Sequence, residues 1–195
     1  MSQGAAPILL ASTSPQRRTI LEQLGIPFEV VAPRYEEEPS NPDAVALVRE
    51  HAQGKARSVA GEAGDRLVLG VDTAVVLDGR IYGKPADATE AELTLERLSG
   101  QTHAVVSGLC LVTPGWEVVE AATTFVTFRE LTPRDLATVL TAREWEGRAG
   151  AYAIQSGGAA LVERIEGDYL NVVGLPAALL VRLLAGHFPG TYGFG

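Results

Sequence analysis

The sequence predicts an α/β fold in which helices surround a mixed, twisted sheet, and two observations indicate it. The first is a strand–helix unit: the short apolar run at residues 8–11 is followed directly by a helix start. The second is a pair of long β segments, residues 103–112 and 118–128, joined by the turn Pro114-Gly115. A chain that combines strand–helix units with hairpins is typical of a mixed sheet.

The first helix begins with Ser14 at the N-cap and Pro15 at the first helical position, and Gly25 ends it. An acidic, proline-rich loop is expected at 33–42, and Asp78-Gly79 signals a hairpin. Apolar runs and helical periodicity predict the other elements: strands at 28–32, 67–71 with its continuation at 74–77, and 159–165, and helices at 43–60, 89–98, 133–142 and 176–186.

Composition excludes several function classes. The 195 residues carry a net charge of −8, which argues against a nucleic-acid-binding surface or an anionic-membrane patch. The single cysteine, Cys110, excludes an intrachain disulfide framework and a multi-cysteine zinc site. The longest apolar run, residues 172–181, is too short to span a bilayer, which needs about 20 residues. We therefore expect a soluble, cytoplasmic protein, and the three histidines show no metal-ligand spacing.

The first helix places Arg17 and Arg18 in its first turn, where the helix macrodipole is already positive. A bound polyanion would resolve this conflict, with phosphates on the helix N-terminus clamped by arginine and helped by the hydroxyls of Ser12 and Ser14. The alternative is that both arginines are solvated or that Arg18 pairs with Glu22, four residues on.

Several carboxylates are candidates for metal ligands or a general base. Asp72 ends an apolar strand, and ligands of open α/β sheets bind at the carboxyl ends of strands. It could be a metal ligand or a general base, or only form a turn or a cap. Glu36, Glu37 and Glu38 could supply further metal ligands, or could simply be solvated. Divalent-metal chemistry on phosphates needs only one or two carboxylates, so Asp72 with one loop glutamate would suffice.

Only two of the 16 basic residues are lysines, Lys55 and Lys84, and the ammonium group could be required at both positions. Lys55 lies on the helix after the acidic loop, and Lys84 is held between Gly83 and Pro85. The glycine-rich stretch 147–158 contains Gln155, whose amide could contact a nucleobase.

These pieces together resemble the Maf family of nucleoside triphosphate pyrophosphatases. The matching segments are residues 10–18, 70–73, 83–85, 98–103, 149–155 and 167–176. The resemblance implies a two-lobed Maf/ITPase-like fold with a central nucleotide cleft, formed by a single domain at 1–188 that is followed by a flexible tail at 189–195. It further implies a homodimer, a divalent cation (Mg²⁺, Mn²⁺ or Co²⁺), and hydrolysis of the triphosphate to the monophosphate and pyrophosphate.

Site residues also follow from the resemblance. Those that match family positions are the phosphate-binding Ser12 and Arg17, the loop carboxylate Glu37, the helix lysine Lys55, the proton acceptor Asp72 and the loop lysine Lys84. Thr73 and Gln155 resemble the residues found at these positions in the subgroup that acts on dTTP and UTP. That subgroup usually has arginine directly after Ser-Pro, whereas this chain has Gln16, so we expect a broader base preference.

The resulting hypothesis has Asp72 and Glu37 hold the metal, while Arg17, Lys55 and Lys84 bind the phosphates and stabilise developing charge. Either carboxylate could orient the attacking water. A nucleotidyltransferase is a weaker alternative, because the glycine-rich loop of that class is missing. The other alternative is a nucleotide-sensing, non-catalytic regulator of cell division.

Overall fold

A computed structural model of the protein describes residues 6–38 and 40–195. In this part of the chain, seven strands are β1 Ile8–Ala11, β2 Phe28–Val31, β3 Val68–Leu77, β4 Arg80–Tyr82, β5 Thr102–Thr113, β6 Trp116–Phe128 and β7 Val162–Glu166. Six α-helices are α1 Pro15–Gln23, α2 Ala44–Ala60, α3 Ala88–Leu98, α4 Pro133–Thr141, α5 Tyr169–Val173 and α6 Ala177–His187. Two short 3-10 helices cover Ala149–Ala151 and Gly157–Leu161.

The strands form one mixed sheet in the order β2-β1-β3-β5-β6-β7, with β4 paired to β3. β1 is parallel to both β2 and β3, whereas the β3–β4 and β6–β7 pairs are antiparallel. The predicted α/β fold with a mixed sheet is therefore confirmed. Ala11 pairs with Gly70, so the residues after β1 and those near Asp72 of β3 lie at the same edge of the sheet.

The chain divides into two compact units. The first runs from residue 6 to Asp72 and includes Ser107–Ala122 and Gly174–Gly195, and the second is Thr73–Val106 with Thr123–Val173. Each has apolar residues in its interior: Leu9, Ala52 and Val68 belong to the core of the first unit, and Leu95 and Phe128 to that of the second. The expectation of a single domain with two lobes around a cleft stays a prediction.

Helix α2 lies against two glycines of the sheet in the first unit. A Cβ at Gly70 of β3 would overlap the carbonyl oxygen of Ala52, and a Cβ at Gly108 of β5 would overlap that of Val48. The helix backbone therefore contacts the strand backbones directly. This close approach brings the side chains of α2 beside Asp72. The expectation that Asp72 ends a strand was wrong, because β3 continues through it to Leu77.

The prediction for the chain after residue 156 was incomplete in two respects. The strand expected at 159–165 is shorter, because residues Gly157–Leu161 form a 3-10 helix before β7 begins at Val162. Alanine and glycine occupy most of the 3-10 helix, and the β-branched residues that favour a strand start only at Val162. The short helix α5 was not predicted.

Beyond α6, the ring of Tyr192 is buried and packs edge-on against Phe188, with the ring centroids 6.2 Å apart. The Gly190 N–H donates to the Phe194 carbonyl at 2.7 Å. The flexible tail expected at 189–195 stays a prediction. Across the residues that the structure covers, no helix has both the length and the apolar character that crossing a membrane requires.

Candidate active site

The start of helix α1 confirms the predicted cap position. Ser14 is the N-cap and Pro15 begins the helix, but the Ser14 hydroxyl does not cap a backbone N–H. It donates instead to the Gln16 amide oxygen at 3.1 Å. At the other end, Gly25 has a φ of +67°, the left-handed conformation that favours glycine after a helix.

Arg17 is held on two sides within the first unit. Its Nη1 donates to Ser12 Oγ at 3.0 Å, and its Nε donates to the Gly174 carbonyl at 2.9 Å. Burial lowers the pKa of the guanidinium, and the negative charges of Asp72 and Glu37 oppose that effect. Those carboxylates therefore help to keep Arg17 charged in its half-buried position.

Lys55 joins the acidic loop to strand β3. Its Nζ lies 2.6 Å from Asp72 Oδ1 and 2.6 Å from Glu37 Oε1. Lys55 and Asp72 are 5% and 8% exposed, so the ammonium and one carboxylate are buried together. A buried charge of this kind is stable only with a hydrogen-bonded partner of opposite sign, which each supplies to the other.

Tyr35 fixes the acidic loop against α2. A Cβ at Gly54 would overlap the Tyr35 ring, so glycine at this helix position makes room for the aromatic side chain. The same ring lies edge-on to the imidazole of His51, with the centroids 5.8 Å apart. Glu37, two residues after Tyr35, is thereby placed beside Lys55.

His51 is a site residue that the sequence analysis missed. Its Nε2 lies 2.8 Å from the Glu38 carbonyl oxygen, and its Nδ1 lies 3.3 Å from Asp72 Oδ2. Glu37, His51 and Asp72 each place a ligand atom within 4.8 Å of the others, so together they could hold a metal ion. His51 and Lys55 are four residues apart on one helix face, and this spacing was the signal available in the sequence.

The donor set suits a divalent cation. Two carboxylates and one imidazole offer oxygen and nitrogen ligands, and the nearby ammonium of Lys55 compensates only part of the negative charge. The predicted ligands Glu37 and Asp72 are thus close together in the structure, with His51 as an additional donor.

Other predicted residues of the first unit are more peripheral. Arg18 and Glu36 are exposed, and Arg18 Nη2 lies 3.5 Å from the Thr13 carbonyl, at the limit of a hydrogen bond. Gln16 is half-buried beside Ser14. The contacts that join Lys55 and His51 to Asp72 involve neither Arg18 nor Glu36.

Thr73, Lys84 and Gln155 belong to the second unit. Thr73 is half-buried on β3, and Lys84 is exposed in a loop whose Gly83 carbonyl accepts a hydrogen bond from the Gly150 N–H at 3.2 Å. Gly150 has a φ of +71° and lies against Val75, so this contact requires glycine. Pairing with residue 150 fixes the backbone beside Lys84.

Gln155 is exposed, and Glu144 fixes the backbone that follows it. The Glu144 carboxylate accepts from the Gly157 N–H at 3.0 Å and from the Gly158 N–H at 3.1 Å. Sequence reasoning did not identify Glu144, because 13 residues separate it from Gly157 and no local pattern links them.

Comparison with known proteins gives a consistent result. A family model described as "Maf-like protein" matches residues 7–187. A dTTP/UTP pyrophosphatase of Deinococcus radiodurans is 42% identical over 192 residues, 98% of each chain. Proteins of the same name from Nitratidesulfovibrio vulgaris and Gloeobacter violaceus are 47% and 48% identical. These matches cover 93% and 91% of this chain and 88% and 94% of the relatives.

Proposed function

The chain belongs to the Maf-like protein family, and on that premise we propose that it hydrolyses nucleoside triphosphates to the monophosphate and pyrophosphate. The substrates include the pyrimidine nucleotides dTTP and UTP, which the relatives' name specifies. The observation that carries the proposal is that Lys55 joins Glu37 to Asp72, which lies on β3 just beyond the parallel pairing of that strand with β1. Carboxylates and cations together are the groups that phosphate hydrolysis requires.

Arg17 and Lys55 bind the triphosphate in this proposal. Arg17 is oriented by Ser12 and by the Gly174 carbonyl, so little side-chain freedom is lost when phosphate oxygens bind. Its guanidinium offers several N–H donors to phosphate oxygens, and the Ser12 hydroxyl adds one more. Ser14 and Arg18, at the start of the same helix, extend this phosphate-binding surface.

Asp72, Glu37 and His51 would hold a divalent cation, Mg²⁺, Mn²⁺ or Co²⁺. When bound, such a cation supplies positive charge that neutralises phosphate oxygens and stabilises the transition state.

The reaction itself is a displacement at the α-phosphorus. The water oxygen forms a bond to this phosphorus as the bond to the bridging oxygen breaks, and pyrophosphate leaves. The proton of the water passes to the carboxylate pair formed by Asp72 and Glu37. Lys55, hydrogen-bonded to both, orients their oxygen atoms and limits their mutual repulsion.

Selection of the base depends on residues other than these carboxylates. Thr73 and Gln155 offer a hydroxyl and an amide that can pair with the edge of a pyrimidine, and Gln16 adds a second amide. Lys84, in its fixed loop, is proposed to contact the phosphates. Because Gln16 can present a donor or an acceptor, we expect acceptance of more bases than dTTP and UTP.

The test is incubation with a panel of triphosphates and each divalent cation, followed by quantification of pyrophosphate and monophosphate. Stoichiometric release of both from dTTP and UTP supports the proposal. Release of inorganic phosphate instead would overturn the assigned bond cleavage. A thermal shift on nucleotide binding without product would favour the nucleotide-sensing alternative.

The protein is further proposed to act as a cytoplasmic homodimer, with no nucleic-acid or membrane partner. Its residues 1–188 would form a single Maf-like domain with a flexible tail at 189–195. Light scattering coupled to size exclusion measures the oligomeric state, and a monomer at all concentrations would contradict the dimer.

A further inference from the structure

The hydrogen bonds of His51 define which ring nitrogen carries its proton when the imidazole is neutral. Nε2 lies 2.8 Å from the Glu38 carbonyl oxygen, which can only accept, so Nε2 must donate. The Nδ1 atom then carries the lone pair. Metal-binding histidines show this same arrangement, with one nitrogen donating to a backbone carbonyl and the other free to coordinate.

Nδ1 faces an acceptor rather than a donor. It lies 3.3 Å from Asp72 Oδ2, so in the neutral ring two lone pairs point towards one another unless a cation lies between them. Two ligands of one metal, each about 2.1 Å from it, are separated by about 3.0–3.4 Å in tetrahedral or octahedral geometry. The observed separation matches that of two ligands of a shared cation, although an Nδ1–H donated to Asp72 by a protonated ring would give a similar distance.

The Lys55 ammonium does not occupy the space between His51 Nδ1 and Asp72 Oδ2. Its ammonium contacts Asp72 Oδ1 and Glu37 Oε1, which leaves Asp72 Oδ2 towards the histidine. His51 is only 5% exposed, so bulk water does not compete freely for Nδ1. The two oxygen atoms of Asp72 thus have different partners, the ammonium for one and the imidazole for the other.

We propose that His51 Nδ1 and Asp72 Oδ2 together ligate the divalent cation, and that this nitrogen ligand makes the site prefer Mn²⁺ or Co²⁺ to Mg²⁺. Imidazole binds first-row transition metals well, whereas Mg²⁺ prefers oxygen ligands and retains its water. The inference rests on the proposed function, since it concerns the cation of the proposed pyrophosphatase. Its tests use metal binding alone, without nucleotide or turnover.

The direct test is pulsed electron paramagnetic resonance of Mn²⁺ added to the intact wild-type protein. Coordination by His51 predicts modulation of the spin echo by a directly bound imidazole ¹⁴N. The matched control is His187→Gln, which removes an exposed histidine distant in sequence from the site and should retain the modulation. Absence of ¹⁴N modulation in the wild type, with Mn²⁺ in excess, would overturn the inference.

A second test compares metal affinities in His51→Gln. Glutamine keeps an N–H donor but is a poor metal ligand, so the Mn²⁺ affinity should fall at least about tenfold while the Mg²⁺ affinity changes less than about threefold. Circular dichroism verifies folding, and His51→Asn provides a smaller replacement if glutamine disturbs the helix. An unchanged Mn²⁺ to Mg²⁺ ratio in a folded variant would show that His51 only orients Asp72.

The two proposals can fail separately. Pyrophosphate release without ¹⁴N modulation leaves the enzyme function intact and removes His51 from the metal site. Modulation with no pyrophosphate release from any triphosphate leaves the metal site intact and removes the proposed reaction.

Discussion

Lys55 Nζ on α2 lies 2.6 Å from Asp72 Oδ1 on β3, and both residues are buried. A planar guanidinium and a compact ammonium are not interchangeable in such a confined place. Lys55→Ala should therefore lose most pyrophosphatase activity, and Lys55→Arg should not fully restore it. The measurement is kcat/KM with dTTP, and full activity of the arginine variant would contradict the proposed role.

The same contact predicts an effect on stability. Lys55→Met leaves the buried Asp72 carboxylate without its ammonium, which should lower the free energy of unfolding by about 3 kcal/mol in urea denaturation. Lys84→Met is the matched control, because Lys84 is exposed and its replacement should change stability by less than about 0.5 kcal/mol. Equal stability of the two variants would show that the ion pair contributes nothing.

Isosteric substitutions can distinguish the catalytic roles of Asp72 and Glu37. Asp72→Asn keeps the shape and removes the charge, so turnover should fall by at least about 100-fold while the protein stays folded. Glu37→Gln tests the exposed partner in the same way. The variant whose pH–rate profile loses its acidic limb identifies the general base. Near-normal turnover in folded Asp72→Asn would exclude Asp72 from the mechanism.

Gln16 is expected to relax base selection. Its amide oxygen accepts from the Ser14 hydroxyl in the structure, and its side chain is half-buried. Gln16→Arg replaces an amide that donates and accepts by a group that only donates, so it should narrow the substrates towards UTP and dTTP. The check is kcat/KM for UTP, dTTP, CTP, GTP and ATP in both proteins. Unchanged ratios would exclude Gln16 as a specificity residue.

Glu144 should act through the segment that carries Gln155. Glu144→Gln replaces one acceptor oxygen by an NH₂ group facing the Gly157 or Gly158 N–H, which loosens this backbone. We expect KM for dTTP to rise several-fold with a smaller change in kcat, since the carboxylates near Lys55 are untouched. A fall in kcat at constant KM would instead indicate that Glu144 affects the chemical step.

His103, which is buried near the start of β5, should make the protein less stable in mild acid. Burial lowers its pKa from 6.5 to about 4, so the unfolded chain takes up a proton first as the pH falls below about 6.5. Stability is therefore lost between pH 6.5 and 4, by about 2–3 kcal/mol for this one group. Between pH 7.5 and 4.5, the free energy of unfolding of His103→Gln should therefore fall by about 2–3 kcal/mol less than that of the wild type, as measured by urea denaturation. An identical dependence in both proteins would contradict the assignment.

Local sequence signals predicted most of the fold. Strand β1 was expected at the residues where it is found, and Ser14-Pro15 identified the start of α1 because a cap acts within one turn. Residues 159–161 were wrongly assigned to a strand, since the turn that contains them depends on Glu144 and on close backbone contact between Gly158 and Ala153. Contacts of this kind join residues that no sequence period relates.

The candidate site shows the same difference between residues that local patterns reveal and residues that only long-range contacts reveal. Local patterns made Arg17, Lys55 and Asp72 candidates, and the family resemblance selected Glu37 from the three loop glutamates. The structure brings both Glu37 and Asp72 into contact with Lys55. His51 was missed because its partners, Asp72 and the Glu38 carbonyl, come from a distant strand and an irregular loop. The packing of Tyr35 over Gly54, together with the contacts of Glu37 and Glu38 with α2, shows that this loop passes beside the helix.

The contact of α2 with Gly70 and Gly108 limits how the protein could be engineered for heat resistance. Replacing glycine by alanine in a regular element is a common stabilising substitution, because it reduces the freedom of the unfolded chain. Here either methyl group would overlap a carbonyl oxygen of α2 and displace the whole helix from the strands. Lys55 would then be carried away from Asp72, so a search for thermostable variants should leave both positions unchanged and seek its gains in exposed loops.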